Sequence, residues 1–205
     1  MLRILETIPN INKYTLFYLF EDMKLAHKPN TLWLEFGVAS GNTINYISGF
    51  TKGTVYGFDS FEGLPEKWRD GMDKGAFSTN GEFPVVRDNV VLIKGWFQDT
   101  LKVFLKQNDK KISFVHIDCD LYSSTKYILE TLKDRLAEDC VVVFDELVNY
   151  DGFDGDTGEL KAFYEFITEY DVDYEWIGMN GVPIGMRGYV HENVALILHS
   201  VKEKL

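Results

Sequence analysis

Two acidic motifs stand where predicted strands end. The motif HIDCD contains Asp118 and Asp120, and the motif FDEL contains Asp145 and Glu146. Alternate side chains of an extended chain point to one face, so Asp118 and Asp120 share a face. Converging carboxylates usually hold a cation or share protons, and an all-oxygen set suits Mg²⁺, Ca²⁺ or Mn²⁺ rather than zinc. The motifs predict a divalent metal site. The alternative for each acid is to cap the following helix, which we predict for Asp120.

A glycine turn, EFGVASGNT, follows the first predicted strand at 35–43. Gly37 and Gly41 allow a sharp turn into a helix and the close approach of a ligand. The spacing is GxxxG rather than GxGxxG and Glu35 lies at the strand end, which favours the first motif of a methyltransferase over a pyrophosphate cradle. An ordinary strand–turn–helix remains the alternative.

Two further motifs are candidates for binding a nucleoside. Asp59 follows the glycine turn by roughly 20 residues, where a carboxylate can accept both hydroxyls of a ribose; the alternative is a solvated or capping aspartate. Ser60 and Phe61 come next and are positioned to flank the nucleoside. In the motif at 95–97, Gly95 permits close approach, while Trp96 and Phe97 either stack on a purine or form a hydrophobic staple at a helix start.

The elements that would position these residues alternate between strand and helix. We predict strands at 31–37, 54–60, 90–95, 112–120, 140–147, 174–180 and 193–199. Helices are predicted at 11–27, from about 42, at 98–106, at 122–137 and at 158–170. The alternation predicts a parallel sheet with helices on both faces, and the last two strands, with no helix between them, imply one antiparallel strand. Ligands bind such sheets outside the carboxyl ends of the strands.

The first predicted helix, at 11–27, is amphipathic. Its apolar face contains Leu16, Phe17, Leu19 and Phe20 at helical spacing. We expect this face to pack on the domain or on a partner subunit, which leaves a homo-oligomer open.

The bulk composition restricts the class of protein. A length of 205 residues suits one α/β domain. A net charge of −11 disfavours a nucleic-acid substrate, because the phosphate backbone dominates such binding. The N-terminus lacks the order of a signal peptide, and no apolar run approaches the ~20 residues that a membrane span needs. We therefore expect a soluble, cytoplasmic protein that binds neither nucleic acid nor membrane.

Several strings, taken in order, resemble the macrocin O-methyltransferase family. They are WLEFGVASGNT, YGFDSFEGLPEKWR, KGAFST, VLIKGWFQDTL and FVHIDCDLYSST, and the likeness extends over about residues 30–180. The family comprises S-adenosylmethionine-dependent enzymes that methylate sugar or phenolic hydroxyls. The resemblance implies the Rossmann-like class I methyltransferase fold, with a catalytic core at 30–205 preceded by a helical segment at 1–29.

The resemblance also implies site residues. The predicted cofactor contacts are Glu35, Gly37, Ala39, Ser40, Gly41, Asn42, Thr43, Asp59, Ser60, Phe61, Gly95, Trp96, Phe97 and Asp118. A magnesium site is implied at Asp118, Asp145 and Glu146. The family commonly has two aspartates at the last pair, so Glu146 is a departure that lengthens one ligand by a methylene. The region before the first strand is also short, so the acceptor pocket must come from the loops at 61–89 and 148–157 or from a neighbouring subunit.

These residues together predict an S-adenosylmethionine-dependent O-methyltransferase acting on a small-molecule hydroxyl with a divalent metal. Asp118 is the predicted catalytic residue, as a metal ligand that also accepts the hydroxyl proton. His116 is predicted to be a satisfied core residue, and His191 in the last loop is a less favoured base. Loop residues Trp68, Arg69, Asp151 and Asp154 are expected near a polar acceptor, although the DGFDGD run can instead be a helix cap.

Three rival functions stay open at this point. A nicotinamide-dependent oxidoreductase shares the sheet and Asp59 but lacks GxGxxG. A non-catalytic cofactor-binding protein of the same fold is kept open by Glu146. Nucleic-acid methylation is opposed by the negative charge.

Overall fold

The computed structural model describes residues 2–180 and 192–204. Within them, seven strands form one sheet: β1 (Thr31–Phe36), β2 (Val55–Asp59), β3 (Val90–Lys94), β4 (Lys111–Ile117), β5 (Leu136–Phe144), β6 (Tyr170–Met179) and β7 (Val194–Glu203). The helices of this part of the chain are α1 (Thr15–Phe17), α2 (Asn42–Ser48), α3 (Phe97–Gln107), α4 (Tyr122–Leu132) and α5 (Gly158–Glu169), with short 3₁₀ turns at Leu2–Leu5 and Lys133–Arg135.

The order of the strands across the sheet is β3-β2-β1-β4-β5-β7-β6. Strands β1 to β5 pair in parallel, and β7 runs antiparallel to both of its neighbours. The prediction of a mostly parallel sheet with one antiparallel strand is confirmed. Chain order reverses between β1 and β4, and this switch point is where a crevice forms in such sheets.

Helices cover both faces of the sheet, as predicted. Leu34 and Phe36 of β1 join a buried cluster with side chains of α3, α4 and α5. Trp33, the residue before Leu34, joins a second cluster with α2 and the segment around α1. Because alternate side chains of β1 enter opposite clusters, most of this strand is apolar. The two clusters hold the carboxyl ends of the strands in a fixed frame.

The first helix is much shorter than predicted. Instead of one helix over 11–27, α1 continues only as a π-helical turn at Tyr18–Asp22. Asn12 and Lys24 flank this region with left-handed backbones, at φ 51° and 55°. A left-handed residue cannot continue a right-handed helix, so the prediction was wrong at both ends.

The apolar face of this short helix packs on the domain. Leu16, Leu19 and Phe20 are buried, and the Phe20 ring lies 5.6 Å from the rings of Trp33 and Phe114. Phe17 is 41% exposed. Of the four side chains that the helical spacing predicted to face inward, three are therefore buried and Phe17 is not. The same spacing overestimated the length of the helix.

Other boundaries differ by a few residues. Helix α4 ends at Leu132 rather than near 137, and β5 begins at Leu136. Strand β4 ends at Ile117, so Asp118 and Asp120 follow the strand instead of lying within it. None of the helices in the described part of the chain combines the length and apolar character that crossing a bilayer requires.

Candidate active site

Four predicted site residues each lie one position beyond a strand and donate a backbone N–H to the neighbouring strand. The bonds run from Gly37 to the Phe58 carbonyl, from Gly95 to Asp59, from Asp118 to Phe36 and from Asp145 to Ile117, at 2.8–2.9 Å. These bonds extend the backbone hydrogen bonding between parallel strands by one residue. They bring the glycine turn and both acidic motifs to the edge of the sheet formed by the carboxyl ends of the strands. The motifs therefore meet at the switch point between β1 and β4.

The glycine turn is in close contact with the fourth strand's acidic motif. A Cβ built on Gly37 would lie 1.7 Å from the Asp118 carbonyl oxygen, and Gly37 has φ +89°. Gly41 precedes α2 with φ +79°. Both glycines are thus required by backbone geometry.

Asp59 holds the glycine turn in place. Its Oδ2 accepts the N–H groups of Val38 and Ala39, each at 2.8 Å, and its Oδ1 accepts the N–H of Phe61 at 2.7 Å. Asp59 therefore stabilises the glycine turn, although it does not cap α2, whose N-cap is Gly41 without a side-chain cap. A carboxylate has about four acceptor positions, so one position remains on Oδ1 for a ligand hydroxyl.

A cavity of about 820 Å³ opens at this edge of the sheet. Among the predicted site residues it is lined by Gly37, Ala39, Asp59, Ser60, Gly95, Trp96, Phe97, Asp118 and Glu146. The loop at 61–89 contributes much of the remaining wall, including Trp68, Met72 and Phe77. The volume falls within the range of small-molecule sites.

Other predicted contacts do not line this cavity. Ser40, Gly41, Asn42 and Thr43 lie further along the turn and in the first turn of α2. Phe61 is 1% exposed and packs on the Phe83 ring with centroids 5.0 Å apart. Glu35 is fully buried below the turn. Contacts from these residues to a cofactor stay predictions.

Asp118, Asp145 and Glu146 form the predicted acidic cluster. Each offers one carboxylate oxygen, and the three oxygens lie within 4.8 Å of one another. Oε2 of Glu146 is buried and has no hydrogen-bond partner within the described residues. Burial and the neighbouring Asp145 raise the pKa of Asp118, while burial and Asp118 raise that of Glu146. A divalent cation fits these all-oxygen donors, and the longer side chain of Glu146 still reaches the cluster.

Asp120 does not cap α4, so that prediction was wrong. Leu121 occupies the N-cap position without a side-chain cap, and Asp120 adopts φ +63°. Asp120 instead lines the cavity and is 6% exposed. Burial raises the pKa of Asp120 to about 7, and Arg69 partly opposes the shift.

His116 lies between two carboxylates. It is fully buried, with Nδ1 3.8 Å from Oε2 of Glu35 and Nε2 3.7 Å from Oδ1 of Asp145. Neither distance is that of a hydrogen bond, and both ring nitrogens lack such a partner within the described chain. His116 is a core residue as predicted, but its polar atoms are not satisfied. His191 lies outside the described residues.

Two functional candidates were missed from the sequence. The Tyr14 hydroxyl donates to Oδ1 of Asp145 at 3.2 Å, across 131 positions of sequence. Oε2 of the buried Glu159 accepts the N–H of Glu146 at 3.4 Å. Burial and the adjacent Asp145 raise the pKa of Tyr14. No local pattern predicts the Tyr14 contact, whereas Glu159 is an acid in the first turn of α5.

The loops at 61–89 and 148–157 meet beside the cavity. The Arg69 guanidinium lies 4.0 Å over the Trp68 ring and donates to the Asp151 carbonyl at 3.2 Å. Asp154 instead accepts the N–H of Asp156 and the hydroxyl of Thr157 just before α5, so it acts in a turn rather than in the cavity wall. Arg69 belongs to the cavity wall, but none of the residues 148–157 lines the cavity, so the second loop contacts the first from outside it. The expectation that the loop at 148–157 forms part of the pocket is therefore not met in this cavity.

Acidic side chains outnumber basic ones in the cavity wall. Its carboxylates belong to Asp59, Glu66, Asp118, Asp120 and Glu146, and its cationic groups to Arg69 and Lys74. In their ionised form these acids favour a cation or another positively charged ligand and disfavour a pyrophosphate.

Comparison with known proteins finds an O-methyltransferase among the proteins of similar sequence. The chain is 29% identical over 116 residues to the 8-demethyl-8-(2,3-dimethoxy-alpha-L-rhamnosyl)-tetracenomycin-C 4'-O-methyltransferase of Streptomyces olivaceus, a match that covers 48% of this chain and 43% of that protein. The chain thus matches less than half the length of this relative.

Solved structures share the fold. The O-methyltransferase NovP superposes with a TM-score of 0.57 at 21% identity, covering 84% of this chain and 72% of that one. An O-methyltransferase from Bacillus cereus, solved with SAH, superposes with a TM-score of 0.56 at 13% identity, covering 96% and 86%. The fold is therefore the Rossmann-like one predicted from the sequence.

The family described as "Methyltransferase domain" matches residues 34–147, which is more than half of the chain. This span begins in β1 and ends just after Asp145 and Glu146, so it contains the glycine turn, Asp59 and the acidic cluster. The chain therefore belongs to the methyltransferase domain family.

Proposed function

We propose that the protein transfers a methyl group from S-adenosylmethionine to a hydroxyl of a small molecule, with a divalent cation, Mg²⁺ first, at the acidic cluster. The observation that carries the proposal is the position of this cluster. Asp118 touches the glycine turn through its backbone carbonyl, lines the cavity and contributes a carboxylate oxygen to the cluster. Cofactor and acceptor sites would then be adjacent, as direct transfer requires.

The cofactor half of the cavity suits a sulfonium nucleoside. Trp96 and Phe97 offer aromatic faces for a purine, and Oδ1 of Asp59 retains an acceptor position for a ribose hydroxyl. A wall in which acids outnumber bases suits a cofactor without phosphates better than a nicotinamide dinucleotide, the cofactor of the rival that shares this type of sheet. S-adenosylmethionine supplies an already activated methyl group.

The chain's own residues would position the acceptor and remove its proton. A cation held by Asp118, Asp145 and Glu146 would lower the pKa of a coordinated hydroxyl. Asp118 lines the cavity next to the turn, where its ionised carboxylate would accept the hydroxyl proton. Met72 and Phe77 contribute apolar surface to the wall, against which an acceptor would pack.

The acceptor class is supported by similarity alone. The Streptomyces olivaceus relative is named as a methyltransferase of a rhamnosyl group, which supports a sugar or a related natural-product hydroxyl. The narrower macrocin-type assignment, a single catalytic domain over 1–205, and a cytoplasmic location stay predictions. A protein that binds the cofactor without turnover is the second candidate, because Glu146 departs from the resembling family.

Calorimetric titration of S-adenosylhomocysteine into the protein, with and without Mg²⁺, tests the cofactor assignment. NAD⁺ titrated under the same conditions is the control ligand. Binding of S-adenosylhomocysteine with no heat from NAD⁺ supports the proposal, and the reverse result overturns it. Methyl transfer is then assayed against a panel of sugars and phenols, and cofactor binding with no transfer to any of them would favour the non-catalytic candidate.

A further inference from the structure

One oxygen of Asp145 receives contacts from two residues that the proposed reaction does not use. The Tyr14 hydroxyl donates to Oδ1 at 3.2 Å, and Nε2 of His116 lies 3.7 Å from the same oxygen. We infer that Tyr14 is a positioning residue for the cation site, which fixes Asp145 and ties the N-terminal segment to that site. This inference rests on the proposed function.

The direction of the hydrogen bond supports a positioning role. A tyrosine hydroxyl is protonated at neutral pH, and a carboxylate only accepts, so Tyr14 must be the donor. A bond from Oη to Oδ1 restricts rotation of the carboxylate about its terminal torsion. Groups that orient metal ligands in this way commonly contribute 10–100-fold to metal affinity.

Tyr14 belongs to a segment that is attached to the sheet at few points. We define the N-terminal segment as residues 10–23. The Ile11 N–H donates to the Met179 carbonyl at the end of β6 at 2.9 Å, and the Thr15 hydroxyl donates to Asn193 just before β7. Leu16, Leu19 and Phe20 supply its apolar packing. The segment therefore crosses the β6–β7 ends and reaches Asp145 from outside the methyltransferase family match at 34–147.

The contact predicts a thermodynamic coupling. If the docked segment orients Asp145 for a cation, then a bound cation must favour the docked segment by the same free energy. Removing the Tyr14 hydroxyl should weaken cation binding and uncouple the segment from the cation. The ring of Tyr14, which contacts Phe17 at 5.2 Å, would keep its packing.

The first experiment is calorimetric titration of Mn²⁺, and then Mg²⁺, into wild type and Tyr14→Phe without cofactor. The matched control is Tyr122→Phe, which removes a hydroxyl that donates to Glu165, outside the acidic cluster, at 2.7 Å. We expect Tyr14→Phe to bind 10–100-fold more weakly and Tyr122→Phe to bind like wild type. Thermal unfolding of each variant checks that it is folded.

The second measurement is amide hydrogen exchange of the N-terminal segment with and without Mg²⁺. In wild type we expect slower exchange at 15–23 when Mg²⁺ is present, and in Tyr14→Phe a smaller change. Equal cation affinity in wild type and Tyr14→Phe, with wild type binding normally, overturns this inference alone. A wild-type protein that binds neither cation overturns the proposed cation site as well.

Discussion

The carbonyl oxygen of Asp118 occupies the place next to Gly37 where any other residue would carry its Cβ. The separation from an added Cβ would be 1.7 Å, and Gly37 has a left-handed backbone at φ +89°. We predict that Gly37→Ala lowers the free energy of unfolding by about 2–5 kcal/mol, the sum of left-handed strain and overpacking. Urea denaturation measures the loss.

Gly71→Ala is the matched control for this substitution. Gly71 has a similar φ of +82°, but no atom lies within 4 Å of an added Cβ. Only the backbone strain remains, so we expect a loss of about 1–2 kcal/mol. Equal losses of unfolding free energy in the two variants would show that the structure relieves the overlap between the new Cβ and the Asp118 carbonyl at little cost.

The sheet was predictable because its physical cause is local. Each strand that is buried on both faces reads as a short apolar run, and helices between the runs impose parallel pairing. Chain order then brings strand ends together, so Gly37 and Asp118 could be placed at one edge without a structure. Exact strand ends were less certain, because nothing in the HIDCD string marks Ile117 as the last paired residue.

The errors have causes that sequence patterns do not contain. The spacing of Leu16, Leu19 and Phe20 records which side chains are buried, not how far the helix extends, and the left-handed Asn12 and Lys24 interrupt it. Asp120 was expected to cap α4, but it has a left-handed backbone at φ +63° and lines the cavity. The Tyr14–Asp145 bond joins positions 131 residues apart, so only tertiary structure reveals it.

Asp59 is predicted to have a structural role together with its proposed contact with a ribose. Its carboxylate accepts backbone N–H groups from Val38, Ala39 and Phe61. In Asp59→Asn the amide nitrogen cannot accept, so at least one charge-assisted bond is lost. We expect a loss of about 1.5–3 kcal/mol in unfolding free energy, together with weaker binding of S-adenosylhomocysteine by calorimetry.

Asp171→Asn is the control, because Asp171 is an exposed acid on β6 and should change neither quantity. If Asp59→Asn keeps full stability and loses only S-adenosylhomocysteine binding, the carboxylate serves the ligand alone. If it loses only stability, the ribose contact is excluded.

Glu35 is predicted to reduce stability as pH rises. It is fully buried, neither carboxyl oxygen has a hydrogen-bond partner within the described chain, and burial followed by Asp145 raises its pKa well above the ordinary value. Above pH 4.5, the ordinary value, the unfolded chain releases this proton while the folded chain keeps it. The folded state then binds more protons, so stability falls with rising pH.

Glu35→Gln removes this dependence while keeping the shape of the side chain. We expect the variant to gain stability relative to wild type as pH increases from 4.5 toward neutrality, and to match it most closely below that pH. Urea denaturation at a series of pH values measures the difference. A gap that is constant with pH would mean that the pKa of Glu35 is not raised in the folded protein.

We predict that a cation bound at the acidic cluster stabilises the folded protein. This stabilisation should require Asp118 and should not require Asp120. Asp118 contributes an oxygen to the group that lies within 4.8 Å, whereas Asp120 lines the cavity without belonging to that group. At a cation concentration 100 times the dissociation constant, a ligand of the folded state alone adds about 2.7 kcal/mol. We expect Mg²⁺ to raise the thermal midpoint of wild type and of Asp120→Asn, and to leave that of Asp118→Asn unchanged.

The two variants make the same chemical change two positions apart, so a loss of the Mg²⁺ effect in both would assign it to the total charge of the cavity. An equal Mg²⁺ effect in all three proteins would place the cation elsewhere.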